Sequence, residues 1–449
     1  MRNQTNLLNI ESDFIWGING HPVSSKDYLK SPIDQQIDLL KEHQLSYYRF
    51  DVRVDLEGEV IWYKDEFLEL LETSNQAKIK LMPVILINLY LDEYQISENE
   101  AFTRGKNQMR GFVKRYGRDI DVYCLGNEQE LRLFENSHGG QSITDYSLSR
   151  FKIVAAYLKG MIEGVKVEKP NAKTLINSSG GPYFGYFQLL EDYNVNYDIL
   201  GYNWYSQFYN SPNSFIENIK VLYRRFNKPI WMTEVNRSHG SYRDYIEEQS
   251  AIMDYFMREL IKRPEIQAFF VYELYDQPST AGKNLKFEQS EYGIVKWISP
   301  ENIKYKPVSN VIKLNIEEFK RGAENYVQAI YFDLLGITPS QEELKYWMEK
   351  FKQLESQSAF LNEFIYANEI QIEQLVHQKS SKTDIQEYIN SNYKEYLERN
   401  SKEQEVRFWN KQIKKKNPRL TITKTLLLSK EYWQKAIWAG YNKKMDNPL

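Results

Sequence analysis

The amino-acid sequence predicts an α/β protein, a (β/α)8 TIM barrel followed by a small all-α domain. Three observations predict it. Eight short, β-rich apolar runs between Phe14 and Glu273 alternate with longer segments of helical period. Polar side chains gather just past the C-terminal end of almost every run. After Pro307 the strand-like runs vanish, and Lys, Glu, Gln and Asn dominate between apolar positions at helical spacing.

The predicted strands are residues 14–19, 46–51, 80–88, 121–126, 173–177, 197–203, 229–234 and 268–273. Amphipathic segments lie between them, among them 32–43, 65–77, 103–116, 149–167, 214–226 and 245–261. Near-continuous apolar strands suit a parallel sheet covered on both faces. Strand–helix alternation leaves two architectures, a closed barrel and a doubly wound open sheet. The strand ends favour the barrel. Asn19 and His21, Arg49 and Asp51, Asn88, Asn127 and Glu128, Asn177 and Ser178, Asn203 and Tyr205, Glu234 and Asn236, and Glu273 and Asp276 follow successive strands. In a barrel they converge on one mouth, where such enzymes place their chemistry. No GxGxxG turn follows the first strand, which weakens a dinucleotide-binding fold.

The domain boundary is expected near Pro307, with residues 1–318 as the barrel and 319–449 as the helical domain. The helical part repeats itself at an offset of 62 residues: Tyr331 meets Tyr393, Leu335 meets Leu397, Glu343 meets Glu405, Tyr346 meets Phe408 and Trp347 meets Trp409. Further along, Phe364 meets Leu426 and Glu369 meets Glu431. One repeat of this size buries little alone, so two are expected to pack as a unit.

Composition narrows the function classes. A chain of 449 residues that is 42% hydrophobic fills more than one core, and a net charge of −3 gives no electrostatic pull toward nucleic acid. No run of about 18 apolar residues is present to span a membrane. The polar N-terminus does not read as a secretory signal, which makes the cytoplasm the default placement and the cell surface or exterior the alternative. A single cysteine, Cys124, leaves no intrachain disulfide, and the scattered histidines His21, His138 and His239 argue against a metal site. No cofactor is indicated, and the oligomeric state is open. The 14% aromatic content, with 34 Tyr and 9 Trp, fits core packing and also the stacking of pyranose rings.

Glycosidic bond cleavage needs two carboxyl groups, one to protonate the leaving oxygen and one to attack carbon or activate water. Glu128, in Tyr-Cys-Leu-Gly-Asn-Glu, follows the fourth predicted strand, and Glu234, in Pro-Ile-Trp-Met-Thr-Glu, ends the seventh. Those strands face each other across a barrel mouth. The Asn-Glu pair after strand four and the Glu of strand seven resemble the signature of clan A of the glycoside hydrolases, over roughly residues 12 to 315. The texture is most similar to family 39. The resemblance implies a retaining hydrolase of a β-linked glycan, with a carbohydrate as its partner. It makes Glu128 acid/base and Glu234 nucleophile, with Asn127 on the sugar 2-hydroxyl. It also implies Arg49 near the nucleophile and Tyr205 hydrogen-bonded to it. Asn203 stands where many members carry histidine, and Tyr272 where many carry tryptophan. Trp204, Tyr272 and Tyr275 are candidates for a sugar platform, and His21 for a substrate contact. The closing run Tyr-Gly-Ile-Val at 292–295, followed by Lys306-Pro307, also looks like these barrels. Retaining geometry sets the two carboxyl groups about 5–5.5 Å apart, against about 6.5–9.5 Å for inversion.

Three readings compete. A barrel can bind glycan without cleaving it, although a binder need not keep both glutamates. An aldolase would want a strand-end lysine for a Schiff base, and none is evident. A scaffold would act through its helical part. That part, with Tyr326-Val-Gln-Ala-Ile-Tyr-Phe-Asp-Leu-Leu-Gly336, resembles a bacterial helical domain of unknown function found beside surface and glycan-related proteins. The resemblance implies anchoring, glycan binding or oligomer formation, and simple packing on the barrel is the plain alternative.

Overall fold

A computed structural model describes residues 14–89, 93–135, 139–206, 212–261, 265–282, 290–299, 302–320, 322–353, 357–380, 384–397, 399–412, 418–429 and 431–432. His138 lies outside the described residues. The barrel strands are β1 (Ile15–Gly20), β2 (Tyr47–Val52), β3 (Lys80–Ile85), β4 (Val122–Leu125), β5 (Lys173–Ser178), β6 (Ile199–Tyr205), β7 (Ile230–Asn236) and β8 (Ile266–Val271). They form a closed barrel in sequence order, each parallel to the next, with β8 pairing back onto β1. The intervening helices are α1 (Ile33–Glu42), α2 (Lys64–Ala77), α3 (Glu98–Tyr116), α4 (Leu148–Glu168), α5 (Phe184–Asp192), α6 (Pro212–Phe226) and α7 (Ile246–Ile261).

Period-2 alternation sends every second side chain inward. Met82 and Val84, Val122 and Cys124, Leu175, Ile199, Trp231, Ala268 and Phe270 form the buried interior cluster. The functional side chains continue these rows toward the C-terminal mouth. Outside, α3 and α4 approach closely through glycine: a Cβ on Gly160 would lie 2.0 Å from the Phe102 carbonyl oxygen, and one on Gly105 would lie 2.2 Å from that of Tyr157.

Several expected boundaries move. Helix α3 begins five residues before the expected position 103, because the Ser97 hydroxyl caps it by accepting the Glu100 N–H at 3.1 Å. Strand β3 ends at Ile85 rather than 88, and the Asn88 amide turns away to the Val54 carbonyl at 2.7 Å. Beyond β8 an antiparallel hairpin of β9 (Val295–Ser299) and β10 (Asn302–Tyr305) leads into α8 (Pro307–Lys320).

The chain separates into two compact units, Ile15–Ile316 and the segment from Glu317 onward. In the second, α9 (Gly322–Leu335), α10 (Gln341–Gln353) and α11 (Gln357–Ala367) form one repeat. Helix α12 (Glu369–Ser380) follows, then α13 (Ile385–Leu397), α14 (Glu403–Gln412) and α15 (Pro418–Leu427). The 62-residue offset carries each helix of the first trio onto its counterpart. The repeat is also chemical. Trp409 Nε1 donates to the Tyr393 hydroxyl at 3.1 Å, and the equivalent Trp347 is hydrogen-bonded to Tyr331. The Ser340 N–H meets Glu343, and the equivalent Lys402 N–H meets Glu405. Among the described residues no helix is long and apolar enough to cross a membrane.

Helix α8 is bound into the first unit. Ile312 and Ile316 are fully buried, the His43 ring meets the Ser309 hydroxyl at 2.5 Å, and Asn315 donates to Asp254 at 2.8 Å. A fragment ending at residue 318 keeps all of these contacts. It is expected to fold with a single cooperative thermal transition, followed by circular dichroism. An insoluble fragment would show that the boundary is misplaced.

Candidate active site

The C-terminal mouth of the barrel holds a cavity of about 570 Å³, within the roughly 300–1,000 Å³ of ligand pockets. Its lining includes His21, Arg49, Asn127, Glu128, Tyr205, Glu234 and Tyr272, seven of the ten candidate site side chains named from the sequence. Asn19, Asp51, Leu131, Ser179, Tyr183 and Tyr292 line it too.

Glu234 reaches the mouth through an irregularity in β7. The β6–β7 register runs Tyr202 to Met232 and then Asn203 to Glu234, so two residues of β7, Thr233 and Glu234, answer one step of β6. Strict alternation from Trp231 would turn Thr233 inward and Glu234 outward. The shift lets both work inside: the Thr233 hydroxyl donates to Asn203 at 2.6 Å, and Glu234 faces Arg49 and Tyr205. Arg49 Nη1 donates to Glu234 Oε1 at 2.8 Å, and the Tyr205 hydroxyl donates to Oε2 at 2.7 Å. Arg49 is itself held by Asn19 Oδ1 at 2.6 Å and Asn127 Oδ1 at 2.7 Å. Burial would lower the Arg49 pKa, but the Glu234 carboxylate outweighs it and the guanidinium stays charged. Burial, with the charge of Glu234, lifts the Tyr205 phenol well above its ordinary value, so it stays a donor.

Glu128 follows β4 on a tight turn. Gly126 has φ +78° and Glu128 itself φ +49°, left-handed geometry uncommon for a residue with a side chain. Its backbone N–H is caught by Asn177 Oδ1 at 3.2 Å, and its Oε1 accepts from Asn203 Nδ2 at 2.8 Å. Asn177 also donates to Asn127 at 2.7 Å and to Asn203 at 3.3 Å. Burial, the neighbouring Glu234 charge and then Glu130 push the Glu128 pKa up to about 8. Glu130 is completely buried. It accepts the Ser179 N–H at 2.7 Å on one oxygen, and burial lifts its own pKa to about 7.

The expected set divides by strand parity. Asn203 and Tyr205 share the inward face of β6, but Asn203 is wholly buried beneath the cavity and holds Glu128. Trp204, expected at the substrate, points outward between them. It is 1% exposed, with its ring 4.5 Å from that of Phe215 on α6. Tyr275, another platform candidate, is buried against Tyr28 and meets the Ser31 hydroxyl at 3.0 Å. Of the platform candidates only Tyr272 lines the cavity, where Phe50, Tyr183, Tyr205 and Tyr292 complete the aromatic lining. Tyr292 comes from the closing run noted in the sequence. Its hydroxyl accepts the His239 N–H at 2.9 Å, and Lys306 from the same run pairs with buried Asp276 at 2.5 Å. Glu130 and Tyr183 carried no sequence signal, since neither ends a strand.

Comparison with known proteins follows the geometry. The family model described as "Glycosyl hydrolase family 53" matches residues 98–316, just under half of the chain, a stretch containing both Glu128 and Glu234. The sequence had suggested family 39. No curated protein sequence matches. Among solved structures, the chain is similar to beta-glycosidase BGL167, with a TM-score of 0.50 and 12% identity over 68% of this chain and 97% of that one. The family 1 β-glucosidase from Thermotoga maritima is also similar, with a TM-score of 0.50 and 13% identity over 68% of this chain and 98% of that one. A β-glucosidase from Thermotoga maritima in complex with cyclophellitol gives a TM-score of 0.50 at 14% identity, over 68% of this chain and 98% of that one. At these identities the structures share the fold. Fold and family match together make the barrel a glycoside hydrolase domain, similar over residues 98–316 to glycosyl hydrolase family 53.

Proposed function

We propose that the barrel is a retaining hydrolase of β-linked glycans, with Glu234 as nucleophile and Glu128 as acid/base. One observation carries the reading. Glu234 has each oxygen on a separate donor, Arg49 and Tyr205, while Glu128, in the same cavity, is held protonated by burial and by the charge of Glu234. A carboxyl group kept protonated beside a second one whose oxygens are each held by a donor is the pairing this chemistry requires. Attack by Glu234 on the anomeric carbon breaks the glycosidic bond as Glu128 gives its proton to the leaving oxygen. The glycosyl ester removes the Glu234 charge. That loss lowers the Glu128 pKa, so it can take a proton from water and release the sugar. Asn127 spends its carbonyl oxygen on Arg49 and Asn177, which turns its amide N–H groups to a sugar 2-hydroxyl. Asn203 acts through Glu128 as a positioning residue. The placement of Arg49, Asn127 and Tyr205 supports clan A at large rather than family 39 in particular.

The test is a screen of aryl β-glycosides and bacterial polysaccharides, with the first-formed product read by proton NMR. A β-anomer is expected. An α-anomer would keep hydrolysis and reverse the mechanism, and no turnover across the panel would contradict the proposal.

The acid must carry its proton, so kcat/KM is expected to fall as pH rises through about 8. Glu130→Gln removes one of the charges that raise Glu128. The alkaline limb of the pH profile should then move to lower pH, with little loss of the plateau rate. An unmoved limb would make Glu130 merely structural.

A further inference from the structure

One wall of the cavity is built from β1, β2 and the segment after β8, and the reaction as proposed does not use it. His21 Nδ1 meets Asp51 Oδ1 at 2.6 Å. Its Nε2 lies 3.3 Å from both Glu273 Oε2 and the Tyr272 hydroxyl. Glu273 is fully buried and fixed by Tyr28 at 2.9 Å and by the Gln277 amide at 2.9 and 3.0 Å. Asp51 keeps 27% of its side chain exposed, facing the cavity. Burial alone would lower the His21 pKa, but Asp51 and Glu273 outweigh it and hold it near 10, while His21 brings Asp51 down to about 2 against its own burial. The pair is therefore ionised across the neutral range.

The charge count has a direction. Among the described lining residues the cations are Arg49 and His21, and each is already engaged by a carboxylate. Glu234 and Asp51 both face the cavity, and Glu273 adds a third carboxylate behind His21. An acidic sugar entering here would bring another anion to carboxylates, with no unpaired cation among the described lining residues to meet it. Such like-charge contact is unfavourable. Hydroxyl groups, in contrast, can donate to Asp51 and accept from Tyr272.

Resting on the glycosidase reading, we infer that this wall selects an uncharged sugar through its hydroxyl groups, with Asp51 as the specificity-determining acceptor, and excludes uronate and sulfated residues. The experiment pairs p-nitrophenyl β-glucoside with β-glucuronide, and β-galactoside with β-galacturonide, on the full chain. For the better-used pair, kcat/KM is expected to favour the neutral sugar at least ~100-fold, since the uronide brings its carboxylate against Asp51 and Glu234. Asp51→Asn leaves His21 without its nearest anion and should narrow that ratio about tenfold or more, mainly through KM, with Asp51→Glu restoring part of it. A uronide used as well as its neutral partner overturns the inference, and so does an Asp51→Asn variant with an unchanged ratio. If that variant does not fold, the wild-type ratio alone decides. Calorimetric binding of the matching non-hydrolysable thioglycosides separates the two claims. Neutral-selective binding without any hydrolysis would sink the hydrolase reading and leave the selectivity standing. Equal binding of both thioglycosides, or of neither, would sink the selectivity.

Discussion

Replacing Glu234 by alanine is expected to lower kcat on the order of 10⁴-fold or more while the protein stays folded. The size follows from the role proposed: without the carboxylate there is no covalent step, and water must attack an unassisted anomeric carbon. The fold should survive because Arg49, although buried, keeps Asn19 and Asn127 as acceptors after Glu234 is gone. Some loss of thermal stability is expected all the same, since removing one member of a buried ion pair leaves a charge without its counter-ion. Azide is small enough to enter the vacated space. With an activated aryl β-glycoside it should restore turnover and give the α-glycosyl azide. A variant that retains near wild-type hydrolysis would remove Glu234 from the mechanism.

Glu128→Ala should behave differently on the same substrates. General acid catalysis is worth roughly 10²–10⁴-fold when the leaving group needs a proton and little when it does not. Glycosides with poor leaving groups are therefore expected to lose about that factor in kcat/KM. Activated aryl glycosides should still form the ester on Glu234 and then stall, because nothing activates water. Here azide needs no base and should release the β-glycosyl azide, the anomer opposite to that from the Glu234 variant. Two variants with opposite azide products would assign the roles. The same product from both would contradict the assignment. Loss of Glu128 should also abolish the fall in rate through about pH 8, which burial and the Glu234 charge produce.

Much of this arrangement was legible in the sequence, for reasons that can be named. The eight strands announced themselves because parallel barrel strands are buried on both faces, so apolar runs are continuous. Polar residues that end such runs gather at the mouth, and seven of the ten candidate site side chains line the cavity. Strand alternation also decides the order along β6. Asn203 and Tyr205 share a face, so Trp204 between them had to point outward, where Phe215 covers it. The β7 irregularity is a different matter. Thr233 and Glu234 are adjacent, and only the register shift against β6 lets both face inward. No local composition marks such a shift. Glu130 was hidden for a similar reason. It sits on a short helical turn just after Glu128, and its burial depends on long-range contact with Ser179 after β5. The helical repeat was easier to see, since a Tyr–Trp hydrogen bond and a helix-start glutamate recur at the same offset.

The claim at the centre is that Glu234 forms a covalent bond to the sugar. The most direct measurement is trapping with activated 2-deoxy-2-fluoro-β-glycosides, followed by peptide mass spectrometry of the inactivated protein. The fluorine slows release of the ester more than an activated leaving group slows its formation, so the intermediate should accumulate. One glycosyl unit per chain, on the peptide carrying Glu234 and absent from Glu234→Ala, is the predicted result. A glycosyl unit on any other carboxylate, or turnover of these reagents without a trapped ester and with an inverted product, would contradict it.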